Sequence, residues 1–275
     1  PAAAPQASDD TTVVVVGIRK SMQRATDVKR TSAQVVDSIV ADDIGKFPET
    51  TTAGALQRVP GVQVTVGDNN EIVGPIVRGL GDIQTTLDGR EIFSGTGRGF
   101  AFQDLPAEAL SRVDVYKSNA ANMLEGGVAG SIDLHLHEAF DFKHFTAVLN
   151  ASHGSEVNSG NGTPSLGLLV ANRWNTSAGE MGALIDVSYS DSDFNRPIAF
   201  NCDQRSTNHG PRLQDGSAVT PAAAAPTCVG GLNQYGNYTR PQANASFQWR
   251  PSDELEVYVD GLYTGYRSKW NTAFI

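Results

Sequence analysis

From Phe145 to Thr264 apolar and polar residues alternate in runs of about ten. That period confines the chain to a sheet with one apolar and one polar face. The clearest run sets Ala243, Ala245, Phe247 and Trp249 against Gln242, Asn244, Ser246 and Gln248. Phe145–Ala151, Ala183–Tyr189 and Leu255–Tyr263 repeat the pattern, and Leu166–Trp174 follows it less clearly. The connections alternate too. A loop over Glu156–Pro164 precedes a turn over Asn175–Glu180, and a long loop over about Asn195–Arg240 precedes a turn over Arg250–Glu254. A soluble β-sandwich explains alternating residues but gives no reason for alternating loop lengths, whereas a transmembrane β-barrel does. Five strands cannot close such a barrel, so the expectation is an incomplete one.

The preceding hundred residues have a different texture. Val62, Val64 and Val66 alternate with polar neighbours, and Thr50–Thr52 cap a predicted helix over Ala53–Arg58 that Pro60–Gly61 stops. Ile72–Val77, Thr85–Leu87, Val113–Val115 and Ser131–Leu136 supply further strands, with a hairpin signal at Asp88–Gly89. No βαβ regularity appears, which argues for an α+β unit and against a doubly wound nucleotide-binding fold. Glycines at 79, 81, 89, 126, 127 and 130 punctuate the runs where left-handed backbone or close approach is needed. Arg78 and Arg112 sit on or beside apolar strands, so each guanidinium requires a partner.

Composition removes several function classes. A net charge of −9 argues against a nucleic-acid partner. Catalysis has no supporting motif: Ser94–Phe100 (SGTGRGF) lacks the Lys-Ser/Thr ending of a phosphate loop, and no GxSxG occurs. His135 and His137 share a strand face but have no third ligand at metal spacing, so neither a metal nor a cofactor is expected. Cys202 and Cys228, the only cysteines, fit one disulfide in an oxidising compartment. Ahead of a polar, charged stretch that reads as an extended arm stands TTVVVVG, Thr11–Gly17, whose β-branched run favours an unpaired strand awaiting a partner.

The order VRG (77–79), LDGR (87–90), SRVDVYKS (111–118) and EGGVAGSIDL (125–134) resembles the plug domain of TonB-dependent outer-membrane receptors. That resemblance implies a flexible arm over 1–32, a plug over 33–143, and the first strands of a barrel over 144–275. It places the TonB box at Thr12, Val13, Val14, Val15 and Val16, gripped by the periplasmic coupling protein TonB. It makes Arg78 and Arg112 a latch onto glutamates of later barrel strands, and it brings Phe93, Arg98 and Phe100 near the outward apex where ligand binds. The implied function is energy-dependent uptake of a bulky solute across a Gram-negative outer membrane. The phrases VVVVGIRKSMQRATDVKR and ADDIGKFPETTTAGALQRVPGV resemble the branch associated with oligosaccharides; iron-siderophore import is the alternative. A soluble periplasmic β-rich binding protein remains a third reading, which leaves the plug motifs unexplained.

Overall fold

The computed structural model describes residues 22–40, 51–67, 71–92, 100–201 and 228–274, with short pieces at 204–205, 214–215, 217 and 225–226. Helix α1 covers residues 22–31, so this part of the arm is helical rather than extended. It contains neither Gly nor Pro, and Thr26 and Thr31 donate their hydroxyls back to the Met22 and Asp27 carbonyls, each at 2.8 Å. Lys29 Nζ lies 2.5 Å from Asp37, which docks the helix against the first strand.

The α+β unit comprises β1 (Val36–Val40), α2 (Thr52–Leu56), β2 (Val62–Val66), β3 (Ile72–Val77), β4 (Ile83–Leu87), β5 (Arg90–Glu91), β6 (Leu110–Tyr116) and β7 (Gly130–Leu136). Five of its strands form one sheet in the order β1-β6-β7-β4-β5, with only β4 and β7 parallel; β2 and β3 form a separate hairpin. Helix α2 begins where Thr51 Oγ1 accepts the Gly54 amide at 3.2 Å, and all five of its residues are buried. It packs with Leu105, Leu110, Val113, Val115, Ile132 and Leu134 into a single apolar core. The EGGVAGS motif is explained by space. Gly127 and Gly130 have φ of +66° and +144°, and a Cβ at either would stand 2.3 or 2.4 Å from a backbone oxygen.

The second sheet holds β8 (Thr146–Ser155), β9 (Gly162–Thr176), β10 (Gly179–Asn201) and β13 (Val229–Ser252), followed by β14 (Leu255–Thr264) and β15 (Arg267–Phe274). A small pair, β11 (Gln204–Arg205) and β12 (Ala225–Pro226), lies between β10 and β13 in sequence. Neighbouring strands are antiparallel throughout, and β14 and β15 both pair with β13 as one interrupted fifth strand. Among the described residues the sheet stays open, with β8 at one edge and β14 and β15 at the other.

Among the described residues both flanks of the expected long loop over about Asn195–Arg240 are instead strand. β10 and β13 run 23 and 24 residues and stay paired from Glu180↔Arg250 to Asn201↔Val229. Pro197, Pro241 and the glycines at 230 and 231 suggest a loop locally, but the continuous ladder satisfies the backbone on both strands. About ten residues cross a bilayer, so this hairpin extends well past one.

Candidate functional site

Alternation along the second sheet resolves into two faces of opposite character. Ile185, Val187, Phe247 and Val259 are exposed on one side, whereas Asp186, Gln242, Asn244, Ser246 and Gln248 are buried on the other. In a water-soluble sheet the assignment runs the other way. Strand β9 blurs the pattern because its inner face carries Leu169 and Ala171, which pack on Ala139, Phe142 and Leu184. The apolar inner patch is therefore a seat for the α+β unit, not a failure of alternation.

What buries the polar face is the α+β unit itself. At the end nearest the Ser177–Ala178 and Asp253–Glu254 turns, the 3₁₀ turn Ala139–Asp141 rests on the sheet. Gln248 Oε1 accepts the Phe140 amide at 2.5 Å and its Nε2 donates to Glu138 at 2.8 Å. Asn244 donates to the His137 carbonyl and Ser246 Oγ accepts the Ala139 amide. Arg173 stacks on Phe140 at 4.6 Å while it pairs in bidentate fashion with Glu180. Gly182 is required beneath that ring, since a Cβ there would lie 2.8 Å from Phe140 Cδ1. Burial, and then Asp260 and Asp141, push the Glu138 carboxyl up.

At the far end the contact is ionic. Arg240 of β13 meets Glu71 Oε1 at 2.5 Å through Nη1 and Oε2 at 2.6 Å through Nη2, and its Nε donates to Asp104 at 3.0 Å. Its guanidinium lies 4.4 Å from the Tyr238 ring centroid and 4.9 Å from that of Tyr266. Backbone geometry builds this box. Pro241 has no N–H to give the neighbouring strand, and opposite Arg240 and Pro241 the fifth strand breaks at Gly265–Tyr266. The Gly265 amide bonds to the Pro241 carbonyl at 2.8 Å, and the irregularity turns Tyr266 onto Arg240. Cavities of about 270 and 360 Å³ flank the pair, one lined by Ser188, Ser190 and Ser192, the other by Phe194, Tyr266 and Trp270.

The residues singled out in the sequence fall differently. Arg78 is exposed in a left-handed turn (φ +53°), its amide donating to the Gly61 carbonyl at 3.0 Å. Arg112 pairs within its own sheet: its Nε lies 3.0 Å from Asp114, out of line for a hydrogen bond. Beside it His135 sits 3.2 Å from both Asp88 and Asp114 and 3.3 Å from Asp133. Burial disfavours the imidazolium, but hydrogen bonds to Asp114 and Asp88 prevail and hold its pKa at about 9. Burial likewise opposes ionisation of Asp114, yet His135, Ser38 and Arg112 bring its pKa below the usual carboxylate value. Phe100 packs edge-on against Phe102, centroids 5.0 Å apart, at the core margin. Phe93, Arg98 and Thr12–Val16 lie outside the described residues. Cys228 is disulfide-bonded; Cys202, its expected partner, lies outside them as well. Among the described residues no group of three His, Cys, Asp or Glu is arranged to hold a metal.

Arg240, Glu71 and Asp104 escaped the sequence reading. Extending the 242–244–246–248 parity two steps back would have put Arg240 and Tyr238 on the inner face. The Thr-Arg-Pro context masked that extension.

An α+β unit seated on the polar face of an open, outward-apolar antiparallel sheet defines a plug and the wall of a membrane barrel. Residues 28–131 match the family model of the TonB-dependent receptor plug domain. Over those residues the chain is a plug domain of this family, and the antiparallel strands that follow share the fold of a receptor barrel wall. The fold is similar to that of a mutant ferric enterobactin receptor, PfeA, from Pseudomonas aeruginosa in complex with enterobactin. That similarity has a TM-score of 0.55 at 16% identity, over 86% of this chain and 34% of that one. The ferric citrate transporter FecA aligns with TM-score 0.49 at 14% identity, over 90% of this chain and 42% of the other. The siderophore receptor PirA from Acinetobacter baumannii aligns with TM-score 0.48 at 14% identity, over 88% and 41%. The chain thus spans about a third of the PfeA chain it matches. No curated protein sequence is significantly similar to it.

Proposed function

We propose that this chain forms the plug, over 33–143, and the first wall strands, from 144, of an outer-membrane receptor that imports a bulky solute at the expense of energy delivered by TonB. The carrying observation is the seam: wall amides bond the plug on one face while the other face presents exposed aliphatic and aromatic side chains suited to lipid. The chemistry is displacement, not bond making. Solute binds on the outward side, and the coupling protein pairs with the box at Thr12, Val13, Val14, Val15 and Val16. Pulling there remodels the plug, to which helix α1 is tied through Lys29 and Asp37.

Two further assignments belong to this reading. Arg78 and Arg112 face glutamates of later strands; the exposure of Arg78 and the poorly aligned Arg112 Nε leave both able to take such partners. Phe93, Arg98 and Phe100 touch the solute. For the solute itself an oligosaccharide is the first reading, supported by the sequence phrases above. A ferric siderophore is the second, favoured by the ligands named for PfeA, FecA and PirA.

The test is uptake by cells producing the receptor. Val14→Pro removes a strand donor from the box and should abolish both coupling-protein capture and uptake. Uptake that survives this change, or that needs no coupling protein, overturns the proposal. Growth on candidate oligosaccharides against growth under iron limitation separates the two substrate classes.

A further inference from the structure

The Arg240 box has features of a clamp, not of ordinary wall lining. Its charge comes from the wall and both carboxylates come from the plug, the reverse of a latch made by Arg78 and Arg112. Arg240 and Glu71 side chains are only 7% and 8% exposed, so neither charge can turn to water if the other leaves. Every guanidinium nitrogen lies within reach of a plug carboxylate, and the Tyr238 and Tyr266 rings, their centroids 6.1 Å apart, both lie against the group. Glu71 belongs to the β2–β3 connection and Asp104 to the 3₁₀ turn Phe102–Asp104. One wall side chain thus holds two separate plug loops.

We propose that Arg240 is the positioning residue that keeps the outward half of the plug shut, and that transport requires this clamp to open. The inference rests on the transport reading for the second clause only. Arg196 adds one backbone contact, to the Gly67 carbonyl at 3.1 Å, on the same β2–β3 connection as Glu71. The inward half is held independently by Asn244, Ser246 and Gln248, through hydrogen bonds to 137–140, and by Arg173, which donates to the Phe140 carbonyl at 3.1 Å. The outward half is therefore held by a buried ion pair, and the inward half by hydrogen bonds and ring contacts. A lysine at 240 could satisfy one carboxylate as a point charge, but could not fork onto Glu71, reach Asp104 and fill the aromatic box together.

The experiment uses the receptor in an outer membrane of a strain lacking TonB, with sensitivity to a large glycopeptide antibiotic reading leak past the plug. Influx is normalised to folded, heat-modifiable receptor. Arg240→Gln should raise influx at least about tenfold, Arg240→Lys by less, and the near-isosteric Glu71→Gln by a comparable amount. The Arg240→Gln/Glu71→Gln double variant should leak no more than either single change, because all three break one clamp. Unchanged influx in folded Arg240→Gln and Glu71→Gln receptors overturns the clamp while leaving TonB-dependent uptake standing. Uptake that proves independent of TonB overturns the transport reading while leaving the leak result interpretable.

Discussion

The two sheets obey the same period of two yet bury opposite halves of it. In the plug, Val113, Val115, Ile132 and Leu134 are fully buried. In the wall, the polar partners Asn244, Ser246 and Gln248 are buried while Ile185 and Phe247 are about half exposed. Alternation fixes that a strand has two faces but not which face turns inward; the solvent on each side decides that. The sharpest way to break the comparison is to place charge on each apolar face. Leu134→Asp puts an unpaired carboxylate into the plug core and should cost at least about 4 kcal/mol, removing folded plug from the protein. Protease protection of the plug within the assembled receptor measures it. Ile185→Arg, on the outward wall face, should cost about 2–4 kcal/mol in lipid, read from the denaturant midpoint of the bilayer-inserted receptor. A neutral or stabilising effect of Ile185→Arg in lipid would show that this face does not meet hydrocarbon.

The inner face gives a smaller and more specific effect. Gln248 satisfies the Phe140 amide and the Glu138 carboxylate together. Gln248→Ala leaves both without that partner and should destabilise plug seating by about 2–3 kcal/mol. Gln248→Glu should be worse at neutral pH than at acid pH, because Glu138 already carries a raised pKa beside Asp141 and Asp260. Hydrogen exchange at Phe140 measures both changes.

How much of this was legible in the sequence follows from what each residue senses. Ala243–Trp249, with its polar face on the plug and its apolar face turned away from it, is readable directly. Leu166–Trp174 was less clear because Leu169 and Ala171 answer to Phe142, a partner distant in sequence. In the β10–β13 extension Pro197 and Pro241 argue locally against strand, while the ladder that retains them is long-range. Helix α1 was missed for want of an apolar stripe; it is held by local hydroxyl bonds and by Lys29 on Asp37. Glu71 and Asp104 had no distinguishing signal at all, since each becomes functional only through a side chain more than 130 positions away.

The plug and the wall should also differ in their response to alkali, because the plug sheet contains a titrating histidine among carboxylates. His135 lies within 3.3 Å of Asp88, Asp114 and Asp133, with the Arg112 guanidinium 3.1 Å from its Nε2. Its pKa stands at about 9 in the folded chain against 6.5 ordinarily. A raised value means that the folded state binds the proton more tightly than the unfolded state. The stabilisation is therefore complete below about pH 6.5 and is lost as pH climbs through 9. Allowing for solvent screening, the loss should be about 2 kcal/mol. It should fall on β6 and β7, which carry Asp114, Asp133 and the imidazole, and on β4, which Asp88 directly follows, and not on the wall seam, whose amides do not titrate. Hydrogen exchange at pH 6 and pH 9.5, corrected for intrinsic rates, should show the Val113–Val115 and Ile132–Leu134 amides losing protection while Ala243–Gln248 keep theirs. His135→Asn should flatten that difference. If the plug amides of the histidine protein hold equal protection at both pH values, the imidazole contributes nothing to the sheet's stability.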